Sequence, residues 1–377
     1  MVIKLILLVV FFAVMVTVGI YSRKHATSVD GYVLGGRSVG PWLTAFAYGT
    51  SYFSAVVFVG YAGQFGWKYG LASTWIGLGN AIIGSLLAWV VLGRRTKVMT
   101  QHLNSKTMPD FFGERFDSKA LKITASAIVF IFLVPYTASV YNGLSRLFGM
   151  AFDIPYTVCV VVMAIFTGIY VIMGGYMATA INDFIQGIIM LIGIVAVIAA
   201  VLSGQGGFLE AIGKMAEIPS DLPVTMGQPG AFTSFFGPDP WNLLGVIILT
   251  SLGTWGLPQM IGKFYAIKDE KSINTGTVIS TLFACIVAGG SYFLGGFGRL
   301  FDSSEIYDET GSVVFDSIVP HMLSSLPDLL IGIVVVLVLS ASMSTLASLV
   351  LTSSSTLTLD FLKDNVMKNM SEKKQIC

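Results

Sequence analysis

The sequence predicts an all-α, polytopic membrane protein with about nine transmembrane helices, and three observations predict it. Of 377 residues, 54% are hydrophobic and only 11% are charged, whereas soluble domains carry about 25% charged residues. The mean hydropathy is +0.79. The apolar residues run in continuous segments rather than alternating, which excludes a membrane β-barrel. With 22 basic and 21 acidic residues the chain could not cover itself with charge in water. A soluble enzyme, a disordered chain and a nucleic-acid binder are excluded together. The net charge of +1 implies no bulk electrostatic partner. Cys159, Cys285 and Cys377 lie far apart and form neither a disulfide framework nor a metal-binding spacing.

A helix needs about 20 apolar residues to cross the bilayer core. Segments 3–21, 42–66, 71–92, 120–145, 154–174, 181–203, 241–265, 274–298 and 327–361 meet that requirement. The first is not a cleavable signal, because no small-residue cleavage site follows it and Arg23-Lys24 comes directly after. The last exceeds one bilayer thickness, so it tilts or extends beyond the membrane. Orientation follows from the basic residues. With the N-terminus outside, 17 of the 22 fall in inside segments and 5 in outside ones, Lys263 being counted with the inside loop 266–273. This places the C-terminus in the cytoplasm. Two outer stretches, 208–215 and 313–326, have amphipathic spacing. Each is read as a short helix lying on the outer face, with interfacial packing preferred to a gate.

Polar groups in hydrocarbon must be satisfied by protein, ion or water. Two spans break the apolar rule near their centres. The second carries Gly49-Thr50-Ser51-Tyr52-Phe53-Ser54, and the seventh Thr250-Ser251-Leu252-Gly253-Thr254-Trp255-Gly256-Leu257-Pro258-Gln259. Pro258 disrupts the turn before it. Paired interruptions at matching positions of two halves are the main sequence pointer to a transporter binding site. Half-helix ends leave carbonyls free for a cation and N–H groups free for an anionic solute.

In the ninth span, Ala341, Ser344, Thr345, Ser348 and Thr352 share one helical face. Their hydroxyls are suited to a hard cation, but on spacing alone close helix packing is the stronger explanation. Asp183 opens the sixth span, with Asn182 and Gln186 beside it. It reads equally as an intramembrane functional carboxylate and as a helix N-cap. His25, His102 and His321 have no catalytic neighbour and are read as solvated. No nucleotide-binding loop is present, so direct ATP coupling within the chain has no support.

Four stretches carry a resemblance. They are Gly35-Gly36-Arg37-Ser38-Val39-Gly40-Pro41; Met108-Pro109-Asp110-Phe111-Phe112-Gly113-Glu114-Arg115-Phe116; Gly174-Gly175-Tyr176 followed by Asn182-Asp183 and Gln186; and Ser342-Met343-Ser344-Thr345-Leu346-Ala347-Ser348. Together they make the chain resemble the sodium:solute symporter family, which includes sodium/proline, sodium/glucose, sodium/pantothenate and sodium/sialic acid transporters. The resemblance implies a leucine-transporter-type inverted repeat in a single transmembrane domain over 1–377. Residues 1–21 would be an extra N-terminal helix, 42–203 the first five-helix repeat, 241–361 an incomplete second repeat, and 362–377 a cytoplasmic tail. The last two core helices of the repeat are missing, so the chain is expected to be truncated.

The resemblance implies no enzyme activity, no organic cofactor, and sodium as the coupling ion. Carried over by position, the sodium ligands would be the carbonyls of Thr50, Phe53 and Ala341 and the hydroxyls of Ser344 and Thr345. Asp183 would lie on the ion's inner path. A second sodium site of sialic-acid-type members matches Asp183, Ser344, Ala347 and Ser348, but Ala347 lacks the hydroxyl, so a second sodium is not expected. The solute would lie near Ser51, Tyr52, Ser54, Tyr136, Trp255 and Gln259. Tyr52 stands where proline transporters carry an aspartate, which argues against proline. The 255–259 stretch is similar to the pantothenate-type members. The expected activity is sodium-coupled import of a small organic acid, amino acid or sugar across the plasma membrane. The partners would be solute, sodium and lipid, with no nucleic acid. The alternatives are an inactive fragment of such a symporter or a membrane sensor module.

Overall fold

The computed structural model describes residues 2–152, 154–367 and 370–376, and Cys377 lies outside them. Among the described residues the chain is helical, with two isolated β-bridges and no strand. Among the described residues, six helices are long and apolar enough to cross a membrane. The bent pair Pro240–Gly256 and Pro258–Ala266, hinged by 51°, is a further candidate. Two of the six, Val56–His102 and Thr157–Gly204, run through a break at a glycine. Gly70 has φ 58° and ψ −140°, and Gly175 has φ 53° and ψ −144°. Both are conformations that a side chain disfavours. Each glycine is also pressed on a neighbouring backbone. A Cβ at Gly70 would sit 2.2 Å from the Phe232 carbonyl oxygen, and one at Gly175 2.6 Å from that of Tyr32. These breaks fall where the sequence places its connections after the second and fifth spans.

The N-terminal helix Val2–Ser22 packs against Tyr156–Gly204 and Asp328–Ser355. It buries Phe11 and Met15 and holds Asp328 through Lys4 at 3.0 Å. It is therefore an integral part of the bundle. Helix association in lipid depends on close packing more than on water exclusion, and the chain supplies small residues where helices cross. A Cβ on Gly66 would lie 2.0 Å from the Gly295 carbonyl oxygen, and one on Gly295 2.1 Å from that of Ala62.

The two amphipathic stretches, 208–215 and 313–326, form helices Phe208–Glu217 and Phe315–Ser324. The first buries Ala211 and Met215 beside Leu202, Phe232 and Phe297, and the second buries Ile318, Val319, Met322 and Leu323. Arg299 ties this end of the bundle together. Its guanidinium bonds Asp221 at 2.7 Å and the Trp67 carbonyl at 2.7 Å, and stacks 4.0 Å from the Phe232 ring centre. Burial pulls its pKa below the usual guanidinium range, and Asp221 opposes that shift. His321 departs from the solvated reading. Its ring bonds Ser303 and Glu305, each at 3.0 Å, because helix 315–324 folds back over the 303–306 turn.

Candidate functional site

Both broken spans fracture in the same way. The helix Pro41–Tyr52 stops at Phe53, whose backbone is extended at φ −87° and ψ 118°. After Ser54 and Ala55 the chain recoils into a π-helical turn, Val56–Tyr61. In the seventh span the helix Pro240–Gly253 tightens into a 3-10 turn, Thr254–Gly256. Leu257 is extended at φ −75° and ψ 116°, and Pro258 starts the next helix, where its missing N–H costs nothing. The two segments are joined at one end. Val39, just before the second span, bridges Ile267, just after the seventh, through Val39 N–H to the Ala266 carbonyl (3.2 Å) and Lys268 N–H to the Val39 carbonyl (2.9 Å).

The helix Asp328–Ser355 lies across the first fracture, and Ala341, Ser344, Thr345 and Ser348 are all buried there. The Ser344 hydroxyl is 3.1 Å from the Thr50 carbonyl oxygen and 3.0 Å from that of Ala341. The Thr345 hydroxyl is 3.1 Å from the Ala341 carbonyl oxygen, 3.2 Å from that of Phe53, 3.3 Å from that of Thr50 and 3.5 Å from that of Ser51. All five oxygens expected from the sequence thus come together. Each hydroxyl owns one proton, so two protons face four buried carbonyl oxygens. Such an excess of acceptors is what a hard cation satisfies. Thr352, the last residue of the face, is only half-buried.

Asp183 is fully buried, and neither carboxylate oxygen has a hydrogen-bond partner among the described residues. The N-cap reading is corrected. The helix breaks at Gly175 and is already continuous through Tyr176–Ile181, so no free N–H remains at Asp183 to be capped. Instead its Oδ2 lies 3.7 Å from Lys263 Nζ. Lys263 is a residue whose role the sequence reading missed. It was assigned to the inner loop with the other basic residues, but the structure leaves it 2% exposed. Its Nζ donates to Ser348 Oγ at 3.1 Å and lies 5.1 Å from the Tyr176 ring centre. The available signal was a lysine inside the apolar run Met260–Ala266, four residues after Gln259.

The six solute candidates do not line one cavity. Ser51 is held by its own neighbours, donating to the Ala47 carbonyl (2.6 Å) and pairing with Ser348 Oγ (2.8 Å). Tyr52 lines a small cavity of about 20 Å³ with Asn80, Thr254 and Ser280. Trp255 is anchored by its indole N–H to the Ile83 carbonyl (2.9 Å). Tyr136 faces an apolar cleft of about 670 Å³ beside Leu257 and Pro258. Gln259 is buried with both amide atoms unpartnered, in a cavity of about 50 Å³ that Lys263 and Ser348 share. Ser54 is buried with its hydroxyl unpartnered. Asn80 was not anticipated. Its carbonyl oxygen accepts from Thr250 (3.1 Å) and Ser251 (3.0 Å), so it braces the third span against the seventh near its fracture.

A bundle of membrane-spanning helices with two matched fractures, one facing a hydroxyl-bearing helix, defines a class of membrane transporter. The chain belongs to the sodium:solute symporter family, whose model matches residues 32–377. Sodium/proline symporters of Staphylococcus aureus strains JH9 and NCTC 8325 / PS 47 are each 31% identical to it over 368 residues. The match covers 95% of this chain and 68% of theirs. A solved Na+-coupled sialic acid symporter, in a substrate-bound outward-open state described as revealing a novel Na+ site, superposes with a TM-score of 0.82. It is 17% identical, and the match covers 99% of this chain and 76% of that one. The fold is the leucine-transporter type, and the chain is a multi-pass membrane transporter rather than an enzyme.

Proposed function

We propose that the protein couples the inward flow of sodium to the uptake of a small organic solute. Sodium binds where the second span fractures, held by the carbonyls of Thr50, Phe53 and Ala341 and the hydroxyls of Ser344 and Thr345. The observation that carries this reading is the cluster of carbonyl oxygens gathered around the buried hydroxyls of Ser344 and Thr345. With an ion in place, the hydroxyl protons turn outward and their lone pairs turn to the cation. The ion thereby joins the fractured second span to the ninth helix, and the solute pocket at the fracture is set by sodium occupancy. Binding of one ligand favours the other because both prefer the same arrangement of these helices.

The N-terminus lies outside and the tail in the cytoplasm, as the distribution of basic residues supports. Each arm of the helices broken at Gly70 and Gly175 is then a separate span. Sodium entering a negative-inside cell gains about 2.3 kcal/mol per charge for each 100 mV, which drives the solute uphill. Asp183 lies on the inner side of the sodium ligands and attracts the departing ion. The solute is recognised by Ser51, Tyr52, Ser54, Tyr136, Trp255 and Gln259; of these, Tyr52, Tyr136 and Gln259 line separate cavities here and would draw together around it. Small organic acids, amino acids and sugars are the classes to screen. The relatives named for proline carry weight at the level of amino acids, while Tyr52 argues against proline itself.

The test is uptake into proteoliposomes from a panel of radiolabelled amino acids, monocarboxylates and sugars. An inward sodium gradient should drive accumulation of at least one, and an equal potassium gradient should not. Uptake that is indifferent to the cation would contradict the reading.

A further inference from the structure

The third span departs from α-helical winding over Asn80–Leu87, where it runs as a π-helix. Turns of this kind are rare and cluster at functional sites. This one is docked on both fractured spans. Its Gly84 carbonyl accepts from the Tyr48 hydroxyl of the second span at 3.0 Å and from the Thr254 hydroxyl of the seventh at 3.3 Å. Its Ile83 carbonyl holds the Trp255 indole at 2.9 Å. Asn80 opens the π-helical segment and is 3% exposed. Its Oδ1 accepts from the Thr250 hydroxyl at 3.1 Å and from the Ser251 hydroxyl at 3.0 Å, so both lone pairs are used. Its Nδ2 carries two N–H groups and has no partner among the described residues. A buried donor left unsatisfied is costly. Asn80 lines the cavity of about 20 Å³ beside Tyr52, Phe53 and Thr254, a space on the scale of one oxygen-bearing group.

We propose that Asn80 is a specificity-determining residue whose free N–H groups donate to an uncharged oxygen of the bound solute. The inference deepens the symport reading and rests on it for taking this cavity as part of the solute site. Among the described residues no acidic or basic side chain lines the cavity. A charge placed there would go uncompensated, so the group that enters is neutral, and a free donor calls for an acceptor. A hydroxyl or keto oxygen meets both conditions, whereas a methylene or an ammonium meets neither need of the amide. The site therefore favours hydroxy acids, keto acids and hydroxylated amino acids over their deoxy counterparts, with the charged end of the solute held outside this cavity. Thr250 and Ser251 hold the amide from behind, so its direction is set before the solute arrives and little ordering is lost on binding. The same π-helical segment holds Tyr48, Thr254 and Trp255, so the oxygen that Asn80 receives sits between the two fractures.

The experiment compares the wild-type protein with Asn80→Leu, Asn80→Ser and Ser251→Ala. Binding of lactate, pyruvate and propionate, and of L-serine and L-alanine, is titrated by thermal unfolding of each purified protein in sodium chloride. Initial-rate uptake of the same five compounds is measured in proteoliposomes. In the wild type an oxygen-bearing member of a set, lactate or pyruvate against propionate or serine against alanine, should bind about tenfold or more tightly than its deoxy counterpart. In Asn80→Leu that ratio should fall to near unity. Asn80→Ser keeps an oxygen for Thr250 and Ser251 but withdraws the amide N–H groups. It should lose the ratio too, and it serves where Asn80→Leu fails to fold. Ser251→Ala removes one brace and keeps the donor, so it should keep the ratio. A folded Asn80→Leu or Asn80→Ser with the wild-type ratio would overturn the proposal. So would a wild type that favours no oxygen-bearing member. A Ser251→Ala that loses the ratio as fully as Asn80→Leu would overturn it as well, because bracing alone would then explain the effect. Uptake indifferent to sodium, with the binding ratio intact, would strike the symport reading and leave the role of Asn80 standing.

Discussion

Thr345→Ala removes a side-chain oxygen that lies within 3.5 Å of four carbonyl oxygens. If that oxygen is one of five sodium ligands, its loss removes one interaction with a charge, worth about 1.5–3 kcal/mol. Each 1.4 kcal/mol is about tenfold in affinity, so the sodium concentration for half-maximal uptake should rise about 10- to 150-fold. Thr345→Ser keeps the hydroxyl and should stay within a few-fold of wild type. The assay is initial-rate uptake across a sodium titration at constant ionic strength, with expression and melting temperature measured on the same preparations. An alanine variant that folds normally and keeps the wild-type sodium midpoint would refute the assignment.

Three further outcomes are expected. Gly66→Ala places a Cβ 2.0 Å from the Gly295 carbonyl oxygen, a backbone atom that cannot step aside; overpacking of this kind costs about 1–3 kcal/mol, readable as a lower melting temperature in detergent. Lys122 bonds Asp110 (2.8 Å) and Asp364 (2.7 Å) and lies 3.7 Å from the buried Asp360. Removing one partner of a buried pair costs about 3–5 kcal/mol, so Lys122→Met should release the 356–366 segment to limited proteolysis while Lys122→Arg should not. Gln259→Leu keeps the volume but removes two unpartnered buried amide atoms; it should raise the solute KM about tenfold or more, the cost of about one lost hydrogen bond to a charged solute group, with little change in the sodium midpoint.

Much of the fold was legible because membrane insertion leaves a coarse record. Apolar runs show where helices lie, and Gly-Thr-Ser and Gly-Leu-Pro interruptions show where they fracture. The hydroxyl face of the ninth helix was visible as a 3–4 spacing, but spacing alone favoured packing. Only the resemblance raised it to a ligand set, and the placement of Ser344 and Thr345 against the fractured second span supplies the geometry. Lys263 was hidden because a lysine near the inner end of a span looks like any positive-inside residue. Its burial follows from the 51° hinge after Gly256, an angle that no pattern of residue types records. Asp183 was misread as a possible cap for a related reason. The helix restarts at Gly175, and that position is set by the backbone's left-handed turn against Tyr32. The solute positions were the least legible, since the six candidates share two broken spans and a neighbouring helix yet face separate cavities.

The most direct test of the central claim is equilibrium binding of radiolabelled sodium to the purified protein and to Ser344→Ala/Thr345→Ala. The account predicts one sodium per wild-type chain and none in the double variant at the same concentrations, with both proteins folded. A double variant that binds sodium as the wild type does would contradict it.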